Sequence, residues 1–250
     1  MPSSALRFPN ARGLELAARL DLPEGAPRAY ALFAHCFTCS KDSKAAVFVA
    51  QALAARGLAV LRFDFTGLGM SGGEFADTSF SSNTEDLLAA VAYLRSTRQA
   101  PRLLVGHSLG GAAVLAVAGA VAEASAVATI GAPFEPAHVA RLFSREEIVS
   151  EGAATVDIGG RAFRVRREFL DDLERHDPAA RIREMRKALL VLHSPQDATV
   201  SIDNAGKIFQ AARHPESFVA LEGADHLLNR AADARYAADV IAAWAAPYLT

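Results

Sequence analysis

Apolar runs and segments with helical spacing alternate along most of the chain, and this alternation predicts the elements. Residues 14–22 alternate loosely and read as an early strand; residues 29–34 read as a short buried one. Residues 44–56 have helical spacing, and Gly57 closes that helix as the residue past its end. Residues 58–63 are apolar apart from Arg62, and the turn-rich stretch Thr66-Gly67-Leu68-Gly69-Met70-Ser71-Gly72-Gly73 follows soon after. Ser82-Asn83-Thr84-Glu85 is a capping-box pattern that opens a helix to about residue 97. Further strands are predicted over 103–105, 126–130, 188–193 and 218–221, and further helices over 110–122, 201–213 and 231–248.

Strands that alternate with helices imply right-handed crossovers and a mostly parallel sheet covered on both faces. Ligands of such sheets bind beyond the carboxyl ends of the strands, so functional residues are expected just after strands. One segment breaks the rhythm. Residues 131–185 lack clean alternation; they hold two short strands about Gly159-Gly160, a hairpin by the turn rule, and a helix near 167–174. The expected organisation is one α/β domain over residues 1–250, with a small cap insertion at about 132–186.

Composition narrows the function classes. Hydrophobic residues make up 51% and charged residues 22%, a globular balance that excludes a disordered chain. The net charge of -2 gives no electrostatic footprint for nucleic acid or an anionic membrane. The apolar stretch at 112–122 ends at Glu123 and is too short to span a bilayer. The N-terminal residues lack a signal-peptide layout, and a cytoplasmic location is expected.

The chemistry centres on Gly106-His107-Ser108-Leu109-Gly110, which matches G-x-S-x-G between a predicted strand and a predicted helix. Side chains at the two glycines would collide with neighbouring backbone, and the turn lifts the Ser108 hydroxyl at a helix N-terminus. No Lys or Thr follows Gly110-Gly111, which argues against a phosphate loop. A serine nucleophile needs a base held by an acid, in the order Ser, acid, His for an elbow of this kind. Asp197 follows the strand at 188–193, and His226 follows the strand at 218–221; these three are the predicted triad. His193 reads as packing within its strand, His176 and His214 as surface residues, and His138 as part of the insertion. Asp225 is expected to point away from the His226 ring, and Asp203 to lie too far along its helix. The Leu109 amide is one expected oxyanion donor. The second should come from the loop after the strand ending near Ala34, which reads His35-Cys36-Phe37-Thr38-Cys39. Where such a loop begins His-Gly, the next amide donates; by that register the donor is Phe37, with Cys36 where glycine is usual. His35 reads as a buttress of the loop.

His35-Cys36-Phe37-Thr38-Cys39-Ser40-Lys41-Asp42 and Leu61-Arg62-Phe63-Asp64-Phe65-Thr66-Gly67-Leu68-Gly69 resemble the hydrolase half of bacterial α/β-hydrolase–OsmC fusion proteins. The elbow and Gly223-Ala224-Asp225-His226 are shared with the wider α/β-hydrolase superfamily. The resemblance covers nearly all of the chain. It implies the α/β-hydrolase fold and a serine esterase that acts on small-molecule esters, with Ser108, Asp197 and His226 in the motif positions. No cofactor or metal is called for, and there is room for a C-terminal OsmC domain in a longer native chain. Short to medium acyl chains are expected from the small cap. Thioesterase, peptidase or perhydrolase chemistry would use the same triad. A non-catalytic binding module and a Cys36/Cys39 redox protein are the readings from other classes.

Cys36-x-x-Cys39 lacks the two further ligands a zinc site needs, and loop packing beside the site is the expected role. Arg161, Arg164, Arg166 and Arg167 are expected to form a solvated face, with attraction of an anionic substrate as the lesser reading. Asp64 with residues 66–71 reads as a structural turn.

Overall fold

The computed structural model describes residues 2–143, 145–158 and 161–249. In chain order the elements are β1 (Ser3–Pro9), β2 (Glu15–Asp21), β3 (Ala29–Ala34), α1 (Lys44–Ala55), β4 (Leu58–Phe63) and α2 (Phe80–Thr97). Then come β5 (Leu103–His107), α3 (Leu109–Val117), β6 (Ala126–Ile130), a 3₁₀ turn over Pro136–Leu142, α4 (Arg145–Glu151), β7 (Ala153–Ile158) and β8 (Arg161–Arg166). The chain continues through α5 (Arg167–Leu173), α6 (Pro178–Glu184), β9 (Ala188–His193), α7 (Asp203–Ala211), β10 (Glu216–Ala220) and α8 (Ala231–Ala245).

Eight strands form one sheet in the order β1-β2-β4-β3-β5-β6-β9-β10. Pairing is parallel from β4 to β10, while β1–β2 and β2–β4 are antiparallel. β3, β4, β5, β6 and β9 are buried at every position, which explains their continuous apolar sequence. Alternate residues feed opposite faces: Ala31 and Phe33 join Val49, Leu53 and Ile241, while Leu32 joins Leu87, Leu94 and Val114. Arg62, the polar interruption in β4, is 3% exposed and is matched by Asp21 at 2.7 Å and Asp42 at 2.9 Å.

Two expectations move. α2 starts one turn early, and its capping box is Ser79 with Ser82 rather than Ser82 with Glu85. Ser79 N–H donates to Ser82 Oγ at 2.9 Å, and Ser82 N–H donates to Ser79 Oγ at 3.1 Å. The earlier start places Phe80 on the stripe of Asn83, Leu87, Val91 and Leu94, all buried, whereas Glu85 points to solvent. β1 leaves no clear apolar pattern in the sequence because, as an edge strand with one neighbour, it buries only Phe8.

The Asp64 turn is structural, as expected. Its carboxylate is fully buried and accepts from Lys41 N–H at 2.6 Å, Lys41 Nζ at 2.9 Å and Met70 N–H at 2.9 Å. It therefore ties residues 64–71 to the loop after β3.

Between β6 and β9 the chain leaves the sheet. β7 and β8 form an antiparallel hairpin, with Val156 opposite Phe163 and Ala154 opposite Val165, all four buried. The expected Gly159-Gly160 turn lies outside the described residues. Phe143, Phe163 and Phe169 pack with Phe37 and Phe75 at ring separations of 4.9 to 6.3 Å, joining the inserted segment to the loop after β3. Among the described residues no helix is long and apolar enough to cross a membrane.

Candidate active site

β5 ends in Gly106-His107, and Ser108 precedes the first turn of α3 at φ 55° and ψ −126°. A left-handed, non-glycine residue here is backbone strain held by its surroundings. A Cβ on Gly106 would lie 2.3 Å from Gly110 O, and one on Gly110 would lie 2.4 Å from Ala34 O. Both glycines are thus required by close backbone approach, as the motif predicts.

The three predicted polar side chains meet beyond the carboxyl ends of β5, β9 and β10. Ser108 Oγ is 2.9 Å from His226 Nε2, and His226 Nδ1 is 2.7 Å from Asp197 Oδ2. The second oxygen of Asp197 accepts from Thr199 N–H and Val200 N–H, each at 2.8 Å. Burial pushes the Asp197 carboxyl up, but the His226 bond and the two amides outweigh it and hold it below the usual range. Asp225 faces away from the ring and accepts from Asn229 N–H at 3.0 Å.

Two histidines back this arrangement. His107 Nε2 donates to the backbone carbonyl of His226 at 2.7 Å. His193 Nε2 donates to Val200 O at 2.8 Å and lies 3.7 Å from Asp197 Oδ2, so it braces the Asp197 loop from within β9. Neither role follows from local sequence: His107 reads only as the variable position of the elbow, and His193 as packing. His138 Nε2 donates to Thr199 O at 3.0 Å, tying the inserted segment to the same loop. His214 is 91% exposed, as expected. His176 is half-buried rather than fully exposed. It stands edge-on to Phe80 at 4.7 Å and lies 3.3 Å from Ser81 Oγ, because the inserted segment folds back on α2.

Burial lowers His35, His107 and His193; His107 falls to about 4, with nearby His226 adding to the effect. A buried neutral histidine binds fewer protons than its unfolded counterpart between its folded pKa and about 6.5, so stability rises with pH across that window and is lost as pH falls through it. For His107 this amounts to on the order of 3 kcal/mol at pH 4. His107→Gln keeps a donor for the His226 carbonyl and should flatten the fall in melting temperature between pH 6.5 and 4. Equal slopes for wild type and variant in thermal melts would refute the assignment.

The loop after β3 holds a covalent link that local sequence does not specify. Cys36 and Cys39, expected to pack in the loop beside the site, are joined by a disulfide. The link forms because Cys39 N–H donates to Cys36 O at 3.2 Å, closing a tight turn with Thr38 at φ 59° and the two Cα atoms 5.4 Å apart. His35 Nδ1 donates to Cys36 O at 2.7 Å, the buttress expected of it.

Phe37, Ser108, Leu109 and His226 line one cavity of about 430 Å³, together with both cysteines, His138, Arg141, Arg161 and Leu227. Ser108 and His226 of the predicted triad and the two residues predicted to supply amide donors therefore line a single space, while Asp197 lies outside that lining. Among the described residues no three His, Cys, Asp or Glu side chains are grouped to hold a metal ion.

Residues 31–239 match the alpha/beta hydrolase family. The chain is 53% identical to the esterase domain from a Rhodothermus marinus protein, over 100% of both chains, with a TM-score of 0.84. Est1E from Butyrivibrio proteoclasticus, solved with ferulic acid bound, superposes at a TM-score of 0.85 with 20% identity, over 98% of this chain and 99% of that one. XC6422 from Xanthomonas campestris, described as a serine hydrolase without a lid, gives a TM-score of 0.69 at 20% identity, over 98% and 96%. These last two likenesses show the fold alone. No curated protein matches the chain. Its sheet, its elbow and the span of the match agree: the chain belongs to the alpha/beta hydrolase family.

Proposed function

We propose that this hydrolase is a serine esterase that cleaves small-molecule carboxylic esters through an acyl-serine intermediate. The observation that carries this reading is the unbroken contact path from Ser108 Oγ through the His226 ring to the Asp197 carboxylate. Ser108 attacks the ester carbonyl as His226 Nε2 takes its proton. Asp197 fixes the ring with the proton on Nδ1 and stabilises the imidazolium. The amides of Phe37 and Leu109 receive the oxyanion, each contributing roughly 3 kcal/mol when well aimed. His226 then returns the proton to the leaving alcohol, and water resolves the acyl-serine by the reverse path. The description of the 53% identical relative as an esterase domain supports the reaction class. It also fits a native chain that carries a further domain, such as OsmC. The reading takes residues 1–250 as one domain with residues 132–186 as its cap. The cavity of about 430 Å³ suits short to medium acyl chains.

The test is intact-mass spectrometry after a fluorophosphonate, with turnover of 4-nitrophenyl acetate and butyrate alongside. One adduct, mapped to Ser108, with turnover of both esters is expected. No adduct and no turnover would reject the esterase.

The Cys36–Cys39 bond encloses Phe37, so in this reading it clamps an oxyanion donor. A cytoplasmic location, also part of the reading, would expose that bond to reducing thiols. Reduction, or Cys36→Ser with Cys39→Ser, should lower kcat about tenfold with little change in KM, short of the 10²–10³ for outright loss of a donor. The double variant should be insensitive to dithiothreitol. Unchanged kcat on reduction of the wild type would show that the clamp is dispensable.

A further inference from the structure

The cavity wall opposite the sheet is charged in one sense only. The inserted segment contributes Arg141, from the 3₁₀ turn over Pro136–Leu142, and Arg161, from the start of β8. No Asp or Glu side chain among the described residues lines the cavity.

The arginine run at 161–167 divides by the two-residue period of a strand. Arg161 shares its strand face with Phe163 and Val165, which are 6% and 1% exposed, and is itself exposed at the start of that face. Its guanidinium sits 5.2 Å from the centre of the Phe163 ring, a stacking that holds a cation in place without neutralising it. Arg164 and Arg166 lie on the outer face, where Arg166 pairs with Asp77. Of the four arginines expected to form a solvated face, Arg161 alone lines the cavity.

Three acidic groups of the surrounding elements are engaged with other arginines. Glu174 pairs with Arg145, Asp171 with Arg167 and Asp77 with Arg166. Arg141 and Arg161 are left without a carboxylate partner among the described residues. Two solvent-exposed arginines that line the cavity complement an anion, and the forked donors of a guanidinium match a carboxylate in particular.

We infer that the ester this site selects carries a carboxylate on its acyl portion, and that Arg141 and Arg161 are the residues that determine this specificity. The inference rests on the esterase reading: Ser108 performs the same acyl transfer, and water and ester give acid and alcohol as before. The arginines act by recognising the substituent remote from the scissile bond.

The test compares 4-nitrophenyl hydrogen adipate with 4-nitrophenyl hexanoate, which match in chain length and differ in the terminal carboxylate. The ratio of their kcat/KM values should fall about tenfold in Arg161→Gln and again in the double Arg141→Gln/Arg161→Gln variant, chiefly through KM, as expected for loss of hydrogen bonds to a charged group. Arg161→Lys should retain part of the ratio, and added salt should lower it in the wild type. Fluorophosphonate labelling of each variant confirms an assembled site. Turnover of both esters with a ratio that the double variant leaves unmoved overturns the arginine assignment alone. Absence of Ser108-dependent turnover of either ester overturns the esterase reading, and this inference with it.

Discussion

Ser108→Ala should lose on the order of a millionfold in kcat for 4-nitrophenyl butyrate, the scale seen when a triad nucleophile is removed. The size follows from the geometry. Ser108 Oγ is the atom at the end of the His226–Asp197 path, and no other hydroxyl stands within hydrogen-bond reach of His226 Nε2 among the described residues. Residual rate would come from the Phe37 and Leu109 amides and from binding, which together leave roughly 10³–10⁴ over water. The fold should persist, since Ser108 makes no side-chain cap of α3 and alanine carries the same Cβ. Stopped assays with highly purified variant, checked for wild-type carry-over by fluorophosphonate titration, read the loss. A drop of less than about a hundredfold, with the fold intact by circular dichroism, would show that Ser108 is not the nucleophile.

Asp197→Asn should cost on the order of 10⁴-fold in kcat while KM and stability move little. The amides of Thr199 and Val200 both donate to one oxygen of Asp197, so an asparagine must place its own oxygen there. Its NH₂ group then faces His226 Nδ1, where the carboxylate had accepted at 2.7 Å. The ring is driven to the tautomer with its proton on Nε2, facing Ser108, and cannot take another from the hydroxyl. Asp197→Ala should cost less in kcat than the asparagine at high pH, because it frees the tautomer. Kinetics of both variants from pH 6 to 9 decide the matter: near wild-type kcat for the asparagine would mean that Asp197 only supports its loop.

Much of this arrangement is legible along the chain because its causes are local. The buried strands β3, β4, β6 and β9 coincide with the apolar runs, since burial on both faces forces continuous hydrophobicity over five or six residues. The elbow is legible for a steric reason: only glycine fits where Gly106 approaches Gly110 and where Gly110 approaches Ala34. The Ser, Asp, His order is visible because each follows a strand and the sheet collects strand ends on one edge.

What the tertiary structure alone decides involves partners distant in sequence or choices among equal local signals. Ser108 and His226 are 118 residues apart, and their 2.9 Å contact depends on β10 lying beyond β9 and β6 in the sheet order. The capping signals at Ser79 and Ser82 compete locally, and the core resolves them by burying Phe80. The sequence shows two cysteines three apart, but only the tight turn between them brings their sulfurs together. His107 and His193 gain their roles from the carbonyls of His226 and Val200. Arg161 differs from Arg164 through strand parity and the ring beneath it, a difference that a count of positive charges does not carry. Periodicity and steric necessity are written within a few residues, whereas convergence of charge and hydrogen bonding is fixed only when the sheet and the inserted segment close around one cavity.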